Sequence, residues 1–189
     1  MTLRLSNRIN LTSLAPAPRP EGHHGGKLNL AQFQQESSNW CWAACFQMVF
    51  NFYKFTISQC QMANYYFGSG CGKDDCCSKG TGGICDFGLV SSQITDGYIH
   101  WSFPSNFTPS QITFDAILNA LGTIGPVEVA VSWTAGGGHA MIVSGFETPN
   151  LVFVNDPAYS SGPGLITYSS LQNAQGLGNW FATWTVPRP

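Results

Sequence analysis

Between residues 39 and 55 the chain reads NWCWAACFQMVFNFYKF, apolar almost all round a helical wheel, with Trp42, Cys45, Phe46, Val49 and Tyr53 at helical spacing. The pattern predicts a buried central helix, with Ser38 or Asn39 capping its first turn. A shorter helix is predicted from about Ser58 through QCQMANYYF to a stop at Gly68. In TPSQITFDAILNALG, Thr108 reads as an N-cap, Pro109 as the first helical residue and Gln111 as the second half of a capping box. Phe114, Ile117, Leu118 and Leu121 then form one apolar stripe, and Gly122 is the expected stop. After that the period shortens to two. VEVAVSW places Val127, Val129 and Val131 on one strand face, HAMIVSGF and LVFVND are two strands joined by ETPN, and GLITYSS and WFATWTV follow. Helices come first and strands afterwards, which predicts an α+β fold with a helical lobe and an antiparallel β lobe.

The length of 189 residues suits one domain, expected over residues 28–189. Residues 1–27, rich in Pro, Ser, Asn and Gly and ending in EGHHGGK, have no helical or strand period and read as a tail or pro-segment. An adjacent pair such as His23 and His24 in a Gly-rich tail reads as solvated rather than as a metal site. Only 10% of residues are charged, so neutral polar groups must wet the surface. The net charge of -2, with Lys and Arg scattered, leaves no electrostatic footprint for nucleic acid. No run approaches the roughly 18 apolar residues of a membrane span, so no membrane partner is expected, and the chain reads as a monomer. The N-terminus lacks the continuous apolar segment of a secretory signal, so either the chain begins after one or export takes another route.

Seven cysteines, an odd number, suggest one free thiol and three disulfides. Four of them lie in CGKDDCCSKGTGGIC, a Gly-rich stretch with little apolar material to hold it together. Crosslinks there imply an oxidising, secreted or extracytoplasmic setting. A zinc site is the rival reading, although the stretch has no C-x-x-C pair and no histidine. Spacing leaves the pairing among Cys45, Cys60, Cys71, Cys76, Cys77 and Cys85 open.

Cys41 falls in the first turn of the central helix, where free N–H groups and the macrodipole favour the anionic, nucleophilic form of a thiol. A helix cysteine is otherwise usually inert core, so the downstream residues decide. A thiol nucleophile needs a base, and the base needs an orienting partner. His100, between aromatics in YIHW, reads as a packed histidine. His139 follows three glycines in GGGHAMIV and opens a strand, where the small residues, Gly138 among them, leave an approach for a substrate backbone. Asp156 ends the next strand, and the hairpin can bring it beside His139 to fix the imidazole tautomer. Asn155 is the alternative, but adjacent strand residues face opposite ways. Gln35, six residues before Cys41, can fold back as a side-chain oxyanion donor beside the Cys41 N–H, with Gln34 as its alternate.

Taken together, QESSNWCWAAC, GPVEVAV, GGHAMIVSGF and VFVNDP resemble, in order, the motifs of papain-like cysteine proteases over about residues 30–189. Among bacterial branches, WCWAA with Asp-Pro looks most like staphopain-type enzymes and avirulence-effector cysteine proteases of plant-associated bacteria, and more distantly like bacteriocin-processing peptidases. The resemblance implies a two-lobed papain-like fold, Cys41 and His139 facing across a cleft, Gln35 as oxyanion donor and Asp156 as the histidine's partner. It also implies a protein or peptide substrate and no cofactor or metal. Trp40 is expected to border the cleft and touch substrate, and Trp42 to pack between the lobes behind the nucleophile. Papain has Asn as third member followed by an aromatic shield, whereas here Asp156 is followed by Pro157 and no Trp comes next. The function so implied is a cysteine endopeptidase acting through a Cys-His-Asp triad and a thioester acyl-enzyme. The alternatives are another acyl-transfer enzyme on the same fold (amidase, transpeptidase or peptidoglycan-cleaving toxin) and an inactive binding module.

Overall fold

The computed structural model describes residues 25–68, 75–78 and 83–189. His23, His24 and Cys71, considered above, lie outside them. The α+β expectation holds. Helices α1 (Cys41–Phe52), α2 (Gln59–Phe67) and α3 (Ser91–His100) form one lobe. Strands β1 (Gly25–Lys27), β2 (Asn106–Thr108), β3 (Val127–Trp133), β4 (Gly138–Glu147), β5 (Leu151–Asn155), β6 (Gly164–Thr167) and β7 (Gly178–Thr185) form an antiparallel sheet, with α4 (Phe114–Thr123) and α5 (Tyr168–Gln172) in the same half. The strand order is β2-β7-β3-β4-β5-β6, with β1 also on β4. Gly25–Lys27, expected in the unstructured tail, is thus a strand, paired with Gly145–Glu147.

The sheet is buried on both faces, which is why VEVAV reads as a continuous buried run. Val127, Val129 and Val131 face α4 and join Ile117, Leu121, Val152 and Val154 in one core. Ala130, Ala140, Ile142 and Trp184 face α1 and join Trp42, Phe46, Val49 and Phe50 in the other. A bulge at Phe181 lets Trp180 and Ala182, two apart and so on the same face of a regular strand, enter opposite cores. It also leaves Phe181 43% exposed at the cleft.

Local signals set α2 as expected: Ser58 caps it in a capping box with Gln61, and Gly68 ends it. Three expectations need correction. Helix α1 starts at Cys41 with Trp40 at the N-cap and no side-chain cap, because Asn39 is tied to Asp86 through its N–H (2.8 Å) and its side-chain amide (3.0 Å). Helix α4 starts at Phe114, capped by Thr113, and runs past Gly122 to Thr123. Thr108 instead pairs with Thr183 of β7, so the edge of the sheet outcompetes the local capping box. The helix α3 was not foreseen. It crosses α1 closely at Gly97, where a Cβ would come within 2.6 Å of Phe46.

The cysteines also depart from expectation. Cys60 pairs with Cys77 and Cys76 with Cys85, while Cys45 is a buried free thiol rather than a disulfide partner. Cys45 faces the core one turn below Cys41, between α1 and the sheet, with no second sulfur bonded to it.

Candidate active site

A cleft of about 720 Å³ separates the lobes, with Cys41 on the helical wall and His139 and Gly138 on the β wall. Cys41 is the first residue of α1, where a helix leaves its N–H groups without intrahelical acceptors. Among the described residues it and Cys45 are the free thiols, and Cys41 alone of the two reaches the cleft. Burial pushes the Cys45 thiol pKa well up, the nearby Glu128 adding to it, so Cys45 is kept neutral.

His139 enters from the β3–β4 hairpin, and the three glycines before it have a structural reason. Gly136 and Gly137 adopt φ of +94° and +83°, the left-handed region, and a Cβ on Gly138 would meet the Val131 carbonyl oxygen at 2.9 Å. The His139 Nε2 lies 2.6 Å from Oδ1 of Asp156, which is itself buried, and Cys41 lines the opposite wall of the same cleft. With Nε2 taken by the carboxylate, Nδ1 is left for the sulfur. Burial pulls the imidazole pKa down, but the Asp156 carboxylate and Cys41 outweigh it and raise the value to about 10. Asn155 points elsewhere: its Nδ2 donates to Gln32 Oε1 at 2.8 Å.

Gln35 lines the cleft, but its Nε2 donates to the main-chain oxygens of Ser37 (2.9 Å) and Ser38 (2.8 Å), in the turn that leads into α1. Its N–H is bonded to the Pro157 carbonyl at 2.8 Å, so the segment before the nucleophile is docked on the loop that carries Asp156. Gln34 also lines the cleft and reaches the Ala158 carbonyl at 3.4 Å. From below, Gln59 holds this segment by donating to the Gln34 oxygen (2.8 Å) and accepting from the Glu36 N–H (2.9 Å).

Of the two tryptophans around Cys41, Trp40 departs from expectation, while Trp42 is buried in the core that α1 shares with the sheet. Trp40 is fully buried and its Nε1 donates to the Cys85 carbonyl at 2.7 Å, so it does not border the cleft. Trp42 packs edge-on against Phe46, Tyr66 and Phe67 within the helical lobe, and its Nε1 donates to the Phe87 carbonyl at 3.0 Å. Both therefore tie the start of α1 to the segment at 85–87, which the Cys76–Cys85 disulfide anchors. His100 is stacked on Tyr65 at 3.7 Å, away from the cleft. The residues that sequence reasoning missed are Gln32, Gln59, Asp86 and Trp133, whose ring lies 6.1 Å from the His139 ring at 24°. Trp133 was legible in principle, since the β3–β4 register sets Val131 opposite His139.

This architecture is a papain-like fold carrying a cysteine, a histidine and a carboxylate at the mouth between its lobes. The chain belongs to the Peptidase_C39 like family, which it matches over residues 27–185. No curated protein matches it by sequence. Its fold is similar to the peptidase domain of Streptococcus ComA, a bi-functional ABC transporter involved in quorum sensing (TM-score 0.60, 13% identity, 84% of this chain and 98% of that one). A protein described as a C39-like peptidase from Bacillus anthracis is similar at TM-score 0.59 and 13% identity, over 87% of this chain and 98% of that one. A structure from work on the mite allergens Blo t 1 and Der p 1 is similar at TM-score 0.56 and 12% identity, over 96% of this chain and 75% of that one. Family membership makes the chain a cysteine peptidase and implies protein or peptide substrates.

Proposed function

We propose that the protein is a cysteine endopeptidase using Cys41, His139 and Asp156. The observation that carries this reading is the 2.6 Å contact of His139 Nε2 with Asp156, which leaves Nδ1 as the nitrogen to serve Cys41 across the cleft. The Cys41 thiolate attacks the peptide carbonyl carbon, and the carbonyl electrons move onto oxygen. The Cys41 N–H and the Gln35 amide receive that oxyanion, Gln35 exchanging one of its bonds to the Ser37–Ser38 turn for it. The imidazolium gives its Nδ1 proton to the leaving amine, a thioester forms, and water activated by His139 then hydrolyses it. Asp156 holds the imidazole throughout. The cleft, open between the lobes, suits an extended peptide running past Gly138. The two disulfides support an extracytoplasmic setting, and among the described residues no helix is long and apolar enough to cross a membrane. The motif likeness to staphopain and effector proteases rests on WCWAA and Asp-Pro.

The test is cleavage of an unfolded protein by the wild type and by Cys41→Ala. Internal cleavage lost in Cys41→Ala supports an endopeptidase. Release of cell-wall fragments without protein cleavage favours the other acyl-transfer reading, and activity kept in Cys41→Ala removes the mechanism.

A further inference from the structure

Gln32 lies outside the cleft lining, yet its side chain fastens the loop behind His139 from three sides. Its Nε2 donates to the main-chain oxygens of Asp156 and Tyr159, each at 2.8 Å, and its Oε1 accepts from Asn155 Nδ2 at 2.8 Å. Strand β5 ends at Asn155, so the sheet ladder does not fix Asp156. Asn155 and Asp156 are both buried and adjacent, and both carry side chains able to bond an imidazole. A buried amide without a partner is costly, so an Asn155 released from Gln32 would seek another acceptor or donor, His139 included.

We propose that Gln32 is a positioning residue for the His139–Asp156 pair: by holding the Asn155 amide and the main-chain oxygens of Asp156 and Tyr159, it selects Asp156 as the group that faces the imidazole. A glutamine suits the task because the loop needs two donors and one acceptor at one point, and a neutral amide supplies them without placing a charge beside Asp156. Four further bonds shape the same loop, Ala158 N–H to Asp156 Oδ1 (2.8 Å), Tyr159 N–H to Asp156 O (3.1 Å), Gln35 N–H to the Pro157 carbonyl (2.8 Å) and Gln34 Nε2 to the Ala158 carbonyl (3.4 Å), but none of them is made to Asn155. The titratable groups acting on the imidazole are Asp156 after β5 and Cys41 on α1, while the residue facing it from β3 is the uncharged Trp133.

The inference rests on the reading that this pair serves Cys41, and its test separates the two. In full-length chains carrying Cys41→Ala, the His139 imidazole is titrated by NMR with and without Gln32→Met, which keeps the length and removes the bonds. In the Cys41-intact chain, kcat and KM are measured across pH. Gln32→Met is expected to lower the imidazole pKa by a unit or more and to lower kcat about tenfold or more with KM within about twofold. An unchanged titration, or a change confined to KM, overturns the proposal. If Gln32→Met does not fold, Gln32→Leu replaces it, an uncharged side chain that also removes all three bonds, and the same shifts are expected. Failure of both to fold also overturns it, since Gln32 would then hold the fold rather than the pair. A wild type without peptidase activity would sink the proposed function but leave the NMR result standing.

Discussion

The imidazole of His139 and the carboxylate of Asp156 meet through Nε2 and Oδ1 at 2.6 Å, with Asp156 1% exposed. Because Oδ1 also accepts the Ala158 N–H, the carboxylate is fixed by its own loop rather than by the imidazole alone.

That pair predicts the alkaline behaviour of the enzyme. Burial lowers the imidazole pKa, but Asp156 and Cys41 carry it to about 10, against an ordinary 6.5. The sign follows: the stabilisation is fully present below the ordinary value and is lost as pH rises through about 10. Asp156→Asn should move the alkaline limb of kcat/KM down by more than one pH unit and lower kcat about 10²-fold or more, leaving some activity. A pH–rate profile of both forms checks it.

Thiol reactivity should separate the two helix cysteines. Cys41 lines the cleft, whereas Cys45 is fully buried with its pKa pushed up by burial. In the native state a small alkylating reagent should label Cys41 and spare Cys45, with Cys45 reacting only after unfolding. Peptide mapping by mass reads the outcome.

Buried Glu128 should make stability fall as pH rises from about 4.5 to about 8. Burial raises its carboxyl pKa to about 8 against a hydrogen bond from Tyr98 that lowers it. A raised pKa means stability present below about 4.5 and lost as pH rises through about 8, on the order of a few kcal/mol in all. Glu128→Gln can keep the Tyr98 bond and should raise Tm at pH 8–9 relative to wild type while changing it little at pH 4. Thermal melts across pH decide it.

The Cys76–Cys85 bridge should support the site as well as the fold. It closes a sequence separation of 9, worth about 2–3 kcal/mol by chain entropy. Because Trp40, Trp42 and Asn39 are all bonded to the 85–87 segment, Cys85→Ser should lower kcat beyond what a matched loss of stability elsewhere produces. Comparison with a core variant of equal Tm checks that.

How much of this was legible in the sequence depended on the range of the interaction. Ser58, Gln61 and Gly68 sit within one helix and marked α2 correctly. Cys41, His139 and Asp156 were legible because a helix start and one hairpin place them. Thr108 failed as a cap because its strand partner Thr183 is far along the chain, and α3 failed because SSQITDGYIH buries only Ile94, Gly97 and Tyr98. Gln32 was invisible for the same reason, its partners lying 123–127 residues away. Trp40 misled because flanking a nucleophile in sequence does not set direction: its ring turns inward to Cys85.

The central claim is that Cys41 is the nucleophile of peptide hydrolysis. Titration with a peptidyl epoxide, following peptidase activity and mapping the adduct by mass, tests it most directly. Activity should fall to zero at one equivalent with the adduct on Cys41. Activity that persists after Cys41 is fully modified would contradict the account.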